Sequence, residues 1–135
     1  MRYMLDTNIC IYAIKNDPKS ILRNLEKHDP KDICISSITY AELMYGVEKS
    51  ANKDKNRWAL MLLLSNIEIV EFDQKAAESY GNIRAFLESE GTVIGPYDML
   101  IAGQALSLNC TLVTNNIREF KRIKTLNIET WATNS

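Results

Sequence analysis

Three acidic residues, Asp6, Glu42 and Asp98, stand between apolar neighbours in contexts typical of a strand end or a helix start. Carboxylates gathered from separate segments can bind a divalent cation, so this set indicates a metal-binding nuclease site. Asp6 follows the short apolar segment Met4-Leu5. Since open parallel sheets collect their ligands at the carboxyl ends of strands, we expect Asp6 to lie in the functional crevice.

Each of these acids also has a simpler structural explanation. An aspartate at the position of Asp6 more often caps the following helix than performs chemistry. Glu42 belongs to a helix that follows a buried strand, and it could simply face solvent. Asp98 follows Gly95-Pro96-Tyr97 and would be stabilised by the positive end of its helix. Metal binding is favoured only when the three acids are considered together.

Short apolar runs alternate with longer segments of helical period, which predicts an α/β fold with helices on both faces of a parallel sheet. The chain has 135 residues, of which 46% are hydrophobic, so we expect residues 1–135 to form one three-layer α/β/α domain with a mostly parallel central sheet. The expected strands are residues 3–5, 33–35, 67–71, 111–113 and 128–129. The expected helices are residues 8–15, 19–28, 38–50, 53–64, 74–90 and 97–108, with a short one after Asn116.

The segment Leu112-Val113-Thr114-Asn115-Asn116 is a second buried strand that leads into polar side chains. Its carboxyl end should open into the same crevice as Asp6. Asn8 and Asn115 could orient the acids or touch a phosphate, and either could equally be a turn residue. Thr114, Asn116 and Asn8 are therefore candidate supporting residues.

The formal net charge of −1 argues against a broad basic surface for duplex nucleic acid. Two local groups of basic residues could still contact phosphates beside an acidic pocket, although each could be an ordinary solvated helix face. The groups are Arg118, Lys121, Arg122 and Lys124, and Lys49, Lys53, Lys55 and Arg57. Arg84 could reach RNA or a protein partner, and the alternative is a surface ion pair with Glu88 four residues later.

The cysteines and the single histidine do not suggest a site. Cys10, Cys34 and Cys110 are odd in number and widely spaced in apolar stretches, so we expect reduced core thiols. One histidine excludes a two-histidine ribonuclease mechanism and disfavours a Ser-His-Asp triad. We expect His28, beside Asp29-Pro30, to be solvated.

We expect a cytoplasmic protein without a membrane segment. The longest strongly apolar run, residues 58–64, is far below the roughly 20 residues that cross a bilayer. The first residues lead directly into the expected first strand, with no signal peptide.

With these features in place, the chain resembles PIN-domain ribonucleases, specifically the VapC-type toxins of bacterial toxin–antitoxin pairs. The resemblance covers residues 4 to about 131. Its markers are Met4-Leu5-Asp6-Thr7-Asn8, Ser37 through Glu42-Leu43, Gly95-Pro96-Tyr97-Asp98 with Ile101-Ala102, and Thr114-Asn115-Asn116 leading to Glu119-Phe120.

The resemblance implies that Asp6, Glu42 and Asp98 are the metal-binding, catalytic acids and that Thr114 supports them. Many PIN domains place a fourth acid where this chain has Asn116, an amide that cannot supply the same negative charge. Subgroups of the toxins share this replacement, so we do not interpret it as inactivation.

The implied activity is Mg²⁺-dependent hydrolysis of RNA, with Mn²⁺ as a possible substitute. We expect one ion held weakly by the free protein and a second arriving with the RNA, and no protein nucleophile is needed. By resemblance, the products carry a 5′-phosphate and a 3′-hydroxyl, and the substrates are structured RNAs cut in single-stranded loops, with the anticodon loop of initiator tRNA as the specific expectation. The implied partners are a VapB-type antitoxin and a second copy of the chain, forming a homodimer and a toxin–antitoxin hetero-oligomer.

Three other classes remain open at this stage. A haloacid-dehalogenase-type phosphotransferase requires a second acid at the position of Asn8. A phosphoacceptor receiver domain requires adjacent acids near the first strand and a lysine where Thr114-Asn115 stands. A catalytically inactive PIN-like RNA- or protein-binding module is the closest alternative, and Asn116 is the feature that favours it.

Overall fold

The computed structural model describes residues 2–132, and its sheet has five strands that all run parallel. The strands are β1 (Tyr3–Leu5), β2 (Ile33–Ser36), β3 (Glu68–Val70), β4 (Thr111–Val113) and β5 (Ile128–Glu129). They lie in the order β3-β2-β1-β4-β5. The predicted α/β fold and all five strands are confirmed. Residue 1 and residues 133–135 of the predicted domain lie outside the described residues, so the single domain of residues 1–135 stays a prediction.

Helices connect the strands, and within residues 2–132 all of the predicted ones form. They are α1 (Thr7–Lys15), α2 (Ser20–Glu26), α3 (Ser37–Lys49), α4 (Lys53–Leu64), α5 (Gln74–Ser89), α6 (Pro96–Ser107) and α7 (Ile117–Phe120). Their ends differ from the predicted ones by at most two residues, and both ends of α4 match. A 3₁₀ turn at Pro30–Asp32 was not predicted. None of the helices described is long and apolar enough to span a membrane.

The central strand β1 supplies both faces of the sheet with core residues. Met4 and Leu5 are both fully buried, and successive side chains of a strand point to opposite faces. Met4 packs in a cluster with residues of α5 and α6, such as Leu87 and Ile101. Leu5 packs in a second cluster with residues of α1, α3 and α4. The predicted three-layer α/β/α arrangement is therefore confirmed.

Polar residues lie side by side at the carboxyl ends of neighbouring strands. The Asp6 amide donates to the Val113 carbonyl oxygen at 3.0 Å, and the Thr114 amide donates to the Glu129 carbonyl oxygen at 3.0 Å. Beside them, Ser36 ends β2, and its hydroxyl accepts a hydrogen bond from the Ile38 amide at 2.9 Å, which caps α3. Asp6, Thr114 and the start of α3 thus lie at one edge of the sheet.

Helix α6 is fixed to this edge by a buried amide. The Gln104 side chain donates to the backbone carbonyls of Val70 and Glu71 at 3.1 and 2.9 Å, just where β3 ends. Gln104 is only 1% exposed, so these bonds are shielded from water. The helix that carries Asp98 in its first turn is therefore held in a defined position against the sheet.

His28 is not the solvated residue that the sequence predicted. Its ring is partly buried and stacks on Trp131, with the centroids 5.0 Å apart, and meets Tyr3 edge-on at 4.5 Å. Its Nδ1 also lies 2.8 Å from the Asn24 carbonyl oxygen. The prediction was wrong because Trp131, which is distant in sequence, closes over the ring.

The three cysteines are free and buried, as predicted. Burial raises the pKa of the Cys10 thiol, so this group stays protonated at neutral pH. Cys34 and Cys110 belong to the same core cluster as Met4.

Gly103 sets the distance between α5 and α6. A Cβ at this position would lie 2.8 Å from the Tyr80 backbone nitrogen and 2.9 Å from its Cα, so Gly103→Ala must push the two helices apart. We expect the variant to lose about 1–3 kcal/mol of unfolding free energy, measured by urea titration. Gly81→Ala on α5 is the matched control, because a Cβ there meets nothing within 4 Å. Equal stability of the two variants would contradict the packing described.

Candidate active site

Asp6 is both a helix cap and a buried acid. Its Oδ1 accepts a hydrogen bond from the Ile9 amide at 2.9 Å, which confirms the capping interpretation. Its carboxylate also interacts with the Thr114 hydroxyl and the Asn8 amide. Asp6 is only 4% exposed, and burial raises its pKa despite these hydrogen bonds. One carboxylate therefore organises the start of α1 and is buried at the carboxyl edge of the sheet.

Glu42 lies beside the start of α1, where its charge also acts on Asp6. It lies on α3 and is partly buried, and the Thr7 hydroxyl donates a hydrogen bond to its Oε1 at 2.6 Å. Thr7 follows Asp6 directly, so one turn of α1 serves two acids. The sequence alone did not predict this role of Thr7, because the donation depends on the approach of α1 to α3.

Asp98 lies in the first turn of α6, where Gly95 provides the cap without a side-chain hydrogen bond. Its carboxyl group is partly buried, and this burial is the main cause that raises its pKa to about 6. Repulsion by the charges of Asp6, Glu119 and Glu42 adds to the shift. The fold therefore brings the three predicted acids close enough to affect one another.

The electrostatics of this group fit a divalent cation. Among the ion pairs of residues 2–132, none involves Asp6, Glu42 or Asp98. In the described part of the chain, however, no three acidic, histidine or cysteine side chains converge tightly enough to form a complete metal-ligand group. Mg²⁺ commonly uses one or two carboxylates and keeps several waters, so it does not require such convergence. The oxygen donors present suit this kind of binding.

Glu119 is the acid that sequence analysis did not identify as a site residue. It lies on the short helix α7, and its charge is the second largest of the acidic contributions that raise the pKa of Asp98. The Asn116 side-chain amide donates to Glu119 Oε2 at 3.0 Å, and the Asn116 backbone amide donates to the Thr114 hydroxyl at 2.9 Å. Asn116 thus holds an acid that stands three residues later. The signal in the sequence was the marker Thr114-Asn115-Asn116 leading to Glu119.

An open cleft of about 600 Å³ leads to Glu42. Its wall includes Thr7, the exposed Asn8 and two tyrosines, Tyr45 of α3 and Tyr97 of α6. The cleft has the size of a small-ligand pocket, and it is lined by the same helices that carry the acids. Of the three acids, Glu42 lines this cleft directly, and Tyr97 in its wall directly precedes Asp98.

The structure divides the predicted basic residues into paired and unpaired ones. Arg84 donates to Glu88 at 3.4 Å and to the Tyr80 hydroxyl at 2.8 Å. The surface ion pair with Glu88 that was the alternative prediction for Arg84 is therefore present. Arg122 donates to the Thr92 and Val93 carbonyls ahead of α6. Lys53 and Arg57 both pair with Glu48. Arg118 and Lys121 are exposed at α7 and belong to no ion pair among the described residues.

The sequence profile of the PIN domain matches residues 3–126, which is most of the chain. The chain belongs to the PIN-domain family. Ribonuclease VapC2 of Rickettsia felis is 52% identical over 132 residues, which cover 97% of this chain and 98% of that protein. The tRNA(fMet)-specific endonuclease VapC of Salmonella typhimurium is 45% identical, with 97% and 98% coverage. The predicted resemblance to VapC-type proteins is therefore confirmed.

Solved structures give the same relationship for this PIN domain. VapBC2 from Rickettsia felis, bound to a DNA fragment from its promoter, contains a chain that superposes with a TM-score of 0.91 at 51% identity, covering 97% of this chain and 99% of that one. DNA-bound VapBC from Salmonella typhimurium also gives 0.91, at 45% identity, with coverage of 97% and 98%. The fold therefore agrees with that of chains in these VapBC complexes.

The raised pKa of Asp98 makes a prediction about the stability of this PIN domain. Between about pH 4 and 6, the folded protein keeps a proton on Asp98 that the unfolded chain has already released. The contribution of protonated Asp98 to the free energy of unfolding is therefore fully present below about pH 4 and is lost as the pH rises through about 6. Asp98→Asn removes the charge, so at pH 7.5 and without metal the variant should be about 1 kcal/mol more stable than wild type, allowing for solvent screening. Urea unfolding in a chelator at pH 4–7.5 measures this difference.

The matched control is Asp54→Asn, because Asp54 is also in the first turn of a helix, α4, but is exposed. It should remove a favourable helix-end interaction and leave the protein slightly less stable. An Asp98→Asn variant that is less stable than wild type at pH 7.5 would show that the ionised Asp98 carboxylate does not destabilise the folded protein.

Proposed function

We propose that this protein is a metal-dependent endoribonuclease toxin that hydrolyses phosphodiester bonds in single-stranded loops of RNA. The observation that carries the proposal is the group of Asp6, Glu42 and Asp98 at one sheet edge, with mutual repulsion and no ion-pair partner among the described residues. The names of the relatives, ribonuclease VapC2 and tRNA(fMet)-specific endonuclease VapC, support the same activity.

In this proposal Asp6, Glu42 and Asp98 hold Mg²⁺, or Mn²⁺ in its place. When bound, the cation supplies activation of the attacking water and neutralisation of charge on the leaving oxygen. Thr7 and Thr114 fix the orientation of Glu42 and Asp6 through their hydroxyl groups. Such supporting hydrogen bonds typically change metal affinity or activity by 10- to 100-fold when they are removed.

Glu119 takes the place of the fourth acid that the sequence did not provide at Asn116. Its carboxylate is held by the Asn116 amide at 3.0 Å and contributes negative charge to the surroundings of Asp98. The inactive alternative was based on Asn116, and this contact gives the amide a function in an active site. The catalytic proposal is therefore favoured over an inactive binding module.

The proposed substrate is initiator tRNA, cut in its anticodon loop. The name of the Salmonella typhimurium relative, a tRNA(fMet)-specific endonuclease, supports this choice. Unpaired loop bases can be splayed out and recognised individually, which suits an open cleft. Arg118 on the helix that carries Glu119 and Lys121 at its end are exposed, and they are proposed phosphate contacts. Arg84 would serve only if it left Glu88. The proposed location is the cytoplasm, where tRNA is found.

The proposed regulator is a VapB-type antitoxin, since the solved VapC relatives are in VapBC complexes. A groove of about 240 Å³ runs beside Glu42 and is lined mainly by apolar residues of α1, α3 and α4, such as Ile14 and Leu43. An apolar antitoxin segment seated there would cover the approach to the acids. Trp58 and Leu62 of α4 are 67% and 59% exposed, which offers further area for the antitoxin or for a homodimer.

The catalytic proposal predicts that activity depends on the acids and on metal. Purified protein should cleave initiator tRNA in Mg²⁺, stop in excess chelator and recover when Mg²⁺ is restored. Asp6→Asn, Glu42→Gln and Asp98→Asn should each lower the cleavage rate by more than about 100-fold, because each removes negative charge from the metal site. Gel analysis of end-labelled tRNA measures the rate and maps the cut.

Asp54→Asn is the control for Asp98→Asn in this assay and should cleave as wild type does. Full activity of Asp98→Asn, or cleavage that persists in the chelator, would contradict the proposed metal site. RNA binding by wild type without any turnover would support the inactive module instead.

The role of Glu119 predicts a defect in metal affinity. Glu119→Gln should raise the Mg²⁺ concentration required for half-maximal cleavage by about tenfold, because it lowers the negative charge of the site. Cleavage rates over a Mg²⁺ titration measure this shift. Glu90→Gln, an exposed acid at the end of α5, is the matched control. An unchanged Mg²⁺ requirement in Glu119→Gln would remove Glu119 from the metal site.

A further inference from the structure

Two exposed tyrosines line the cleft that leads to Glu42. Tyr45 is 66% exposed and Tyr97 is 56% exposed, although large aromatic rings are ordinarily buried to a greater extent. Tyr97 directly precedes Asp98 on α6, and Tyr45 lies three residues after Glu42 on α3, one helical turn along the same face. Each ring is therefore attached to a helix that carries a site acid.

Both rings are exposed to solvent, and the one aromatic or cationic contact that either makes among residues 2–132 is Lys49 over the Tyr45 ring. Among the described residues, the aromatic pairs are formed by Tyr3, His28 and Trp131, and neither cleft tyrosine takes part in one. Neither tyrosine is part of the two core clusters. The rings thus add little to the packing of the fold, and their position beside the acids requires another explanation.

A lysine accompanies the first ring. Lys49 Nζ lies 5.0 Å from the centroid of the Tyr45 ring, and Lys49 also lines the cleft. The neighbouring Lys53 and Arg57 form ion pairs with Glu48, whereas Lys49 has no carboxylate partner among the described residues. Aromatic faces with a nearby cation form the combination that binds single-stranded nucleic acid, because bases stack on rings and cations contact phosphates.

We propose that Tyr45 and Tyr97 are stacking sites for unpaired RNA bases on the two sides of the scissile phosphate, and that Lys49 contacts the adjoining backbone. This inference rests on the proposed ribonuclease function. It assigns recognition of an extended, unstacked strand to the cleft itself, so that a base-paired substrate would be rejected because its bases cannot reach the rings. Stacking tolerates any base, so these sites select unpaired structure rather than sequence.

The test is RNA affinity measured without cleavage. The labelled anticodon stem-loop of initiator tRNA is titrated in Mg²⁺ with Asp98→Asn protein, and binding is followed by fluorescence anisotropy. Adding Tyr45→Ala or Tyr97→Ala should weaken binding by about 10- to 100-fold, the usual effect of losing one stacked base. Tyr45→Phe and Tyr97→Phe keep the ring and should bind within about threefold of the parent. Phe86→Ala, which removes a ring 48% exposed on α5 outside the cleft, should have no effect.

A second arm identifies the bases. Stem-loops with a single abasic nucleotide on either side of the mapped cut should bind more weakly to the parent protein. When the missing base is the one that stacks on a given tyrosine, replacing that tyrosine with alanine should cause no further loss of affinity. This non-additivity shows that ring and base interact directly. If Tyr45→Ala and Tyr97→Ala lower the affinity for intact and abasic RNA by the same factor, the inference is overturned.

The outcomes separate this inference from the proposed function. If wild type neither binds nor cleaves the stem-loop, the ribonuclease proposal fails and the stacking proposal fails with it. If wild type cleaves while Tyr45→Ala and Tyr97→Ala bind RNA as Phe86→Ala does, only the stacking sites are wrong. Tyrosine variants that keep RNA affinity but lose a protein partner would also overturn the stacking proposal, because the rings would then serve a protein interface.

Discussion

Asp6, Glu42 and Asp98 place negative charge at a partly buried edge of the sheet, and no basic side chain within residues 2–132 forms an ion pair with any of them. Burial and mutual repulsion both disfavour the ionised carboxylates, as the raised pKa values of Asp6 and Asp98 indicate. Such stress would be relieved by a divalent cation or by protons. The proposed chemistry follows from this unbalanced charge, because a site already neutralised by arginine or lysine would have little affinity for Mg²⁺.

The fold keeps the three carboxylates near one another, despite their repulsion, because each acid is anchored by separate contacts. Asp6 is fixed by its cap of α1 and by the hydrogen bond that its backbone amide donates to the Val113 carbonyl oxygen, so it cannot turn away without loss of helix and sheet contacts. Glu42 is held by the Thr7 hydroxyl. The helix of Asp98 is tied to the end of β3 through Gln104. The stability of the helices and the sheet thus opposes the separation of the carboxylates, which is the arrangement expected of a preorganised site.

Local patterns in the sequence predicted the fold and the three acids, because the relevant signals lie within a few residues. The apolar run before Asp6, the proline and glycine before Asp98 and the serine that caps the helix of Glu42 each specify an element end. The sheet order places two of these ends together, and open parallel sheets follow that rule generally. The element types, and the positions of these three acids at element ends, were therefore predictable from the sequence.

Contacts between distant segments were not accessible in this way. The donation from Thr7 to Glu42 joins α1 to α3, and the burial of His28 depends on Trp131 at the other end of the chain. Glu119 was overlooked because, in the sequence, an acid on a short helix resembles any surface acid until the Asn116 amide is seen to hold it. In each case the chemistry of the residue depends on a partner that periodicity and capping signals do not identify.

Anomalous diffraction from crystals soaked in Mn²⁺ tests the central claim most directly, because it locates the ion and the carboxylates together. The account predicts an anomalous peak at the carboxyl edge of the sheet, within about 2–2.5 Å of carboxylate oxygens of Asp6 and Asp98, with Glu42 bound directly or through water. Crystals with no Mn²⁺ at that edge, and with Glu42 turned away from both aspartates into solvent, would contradict it.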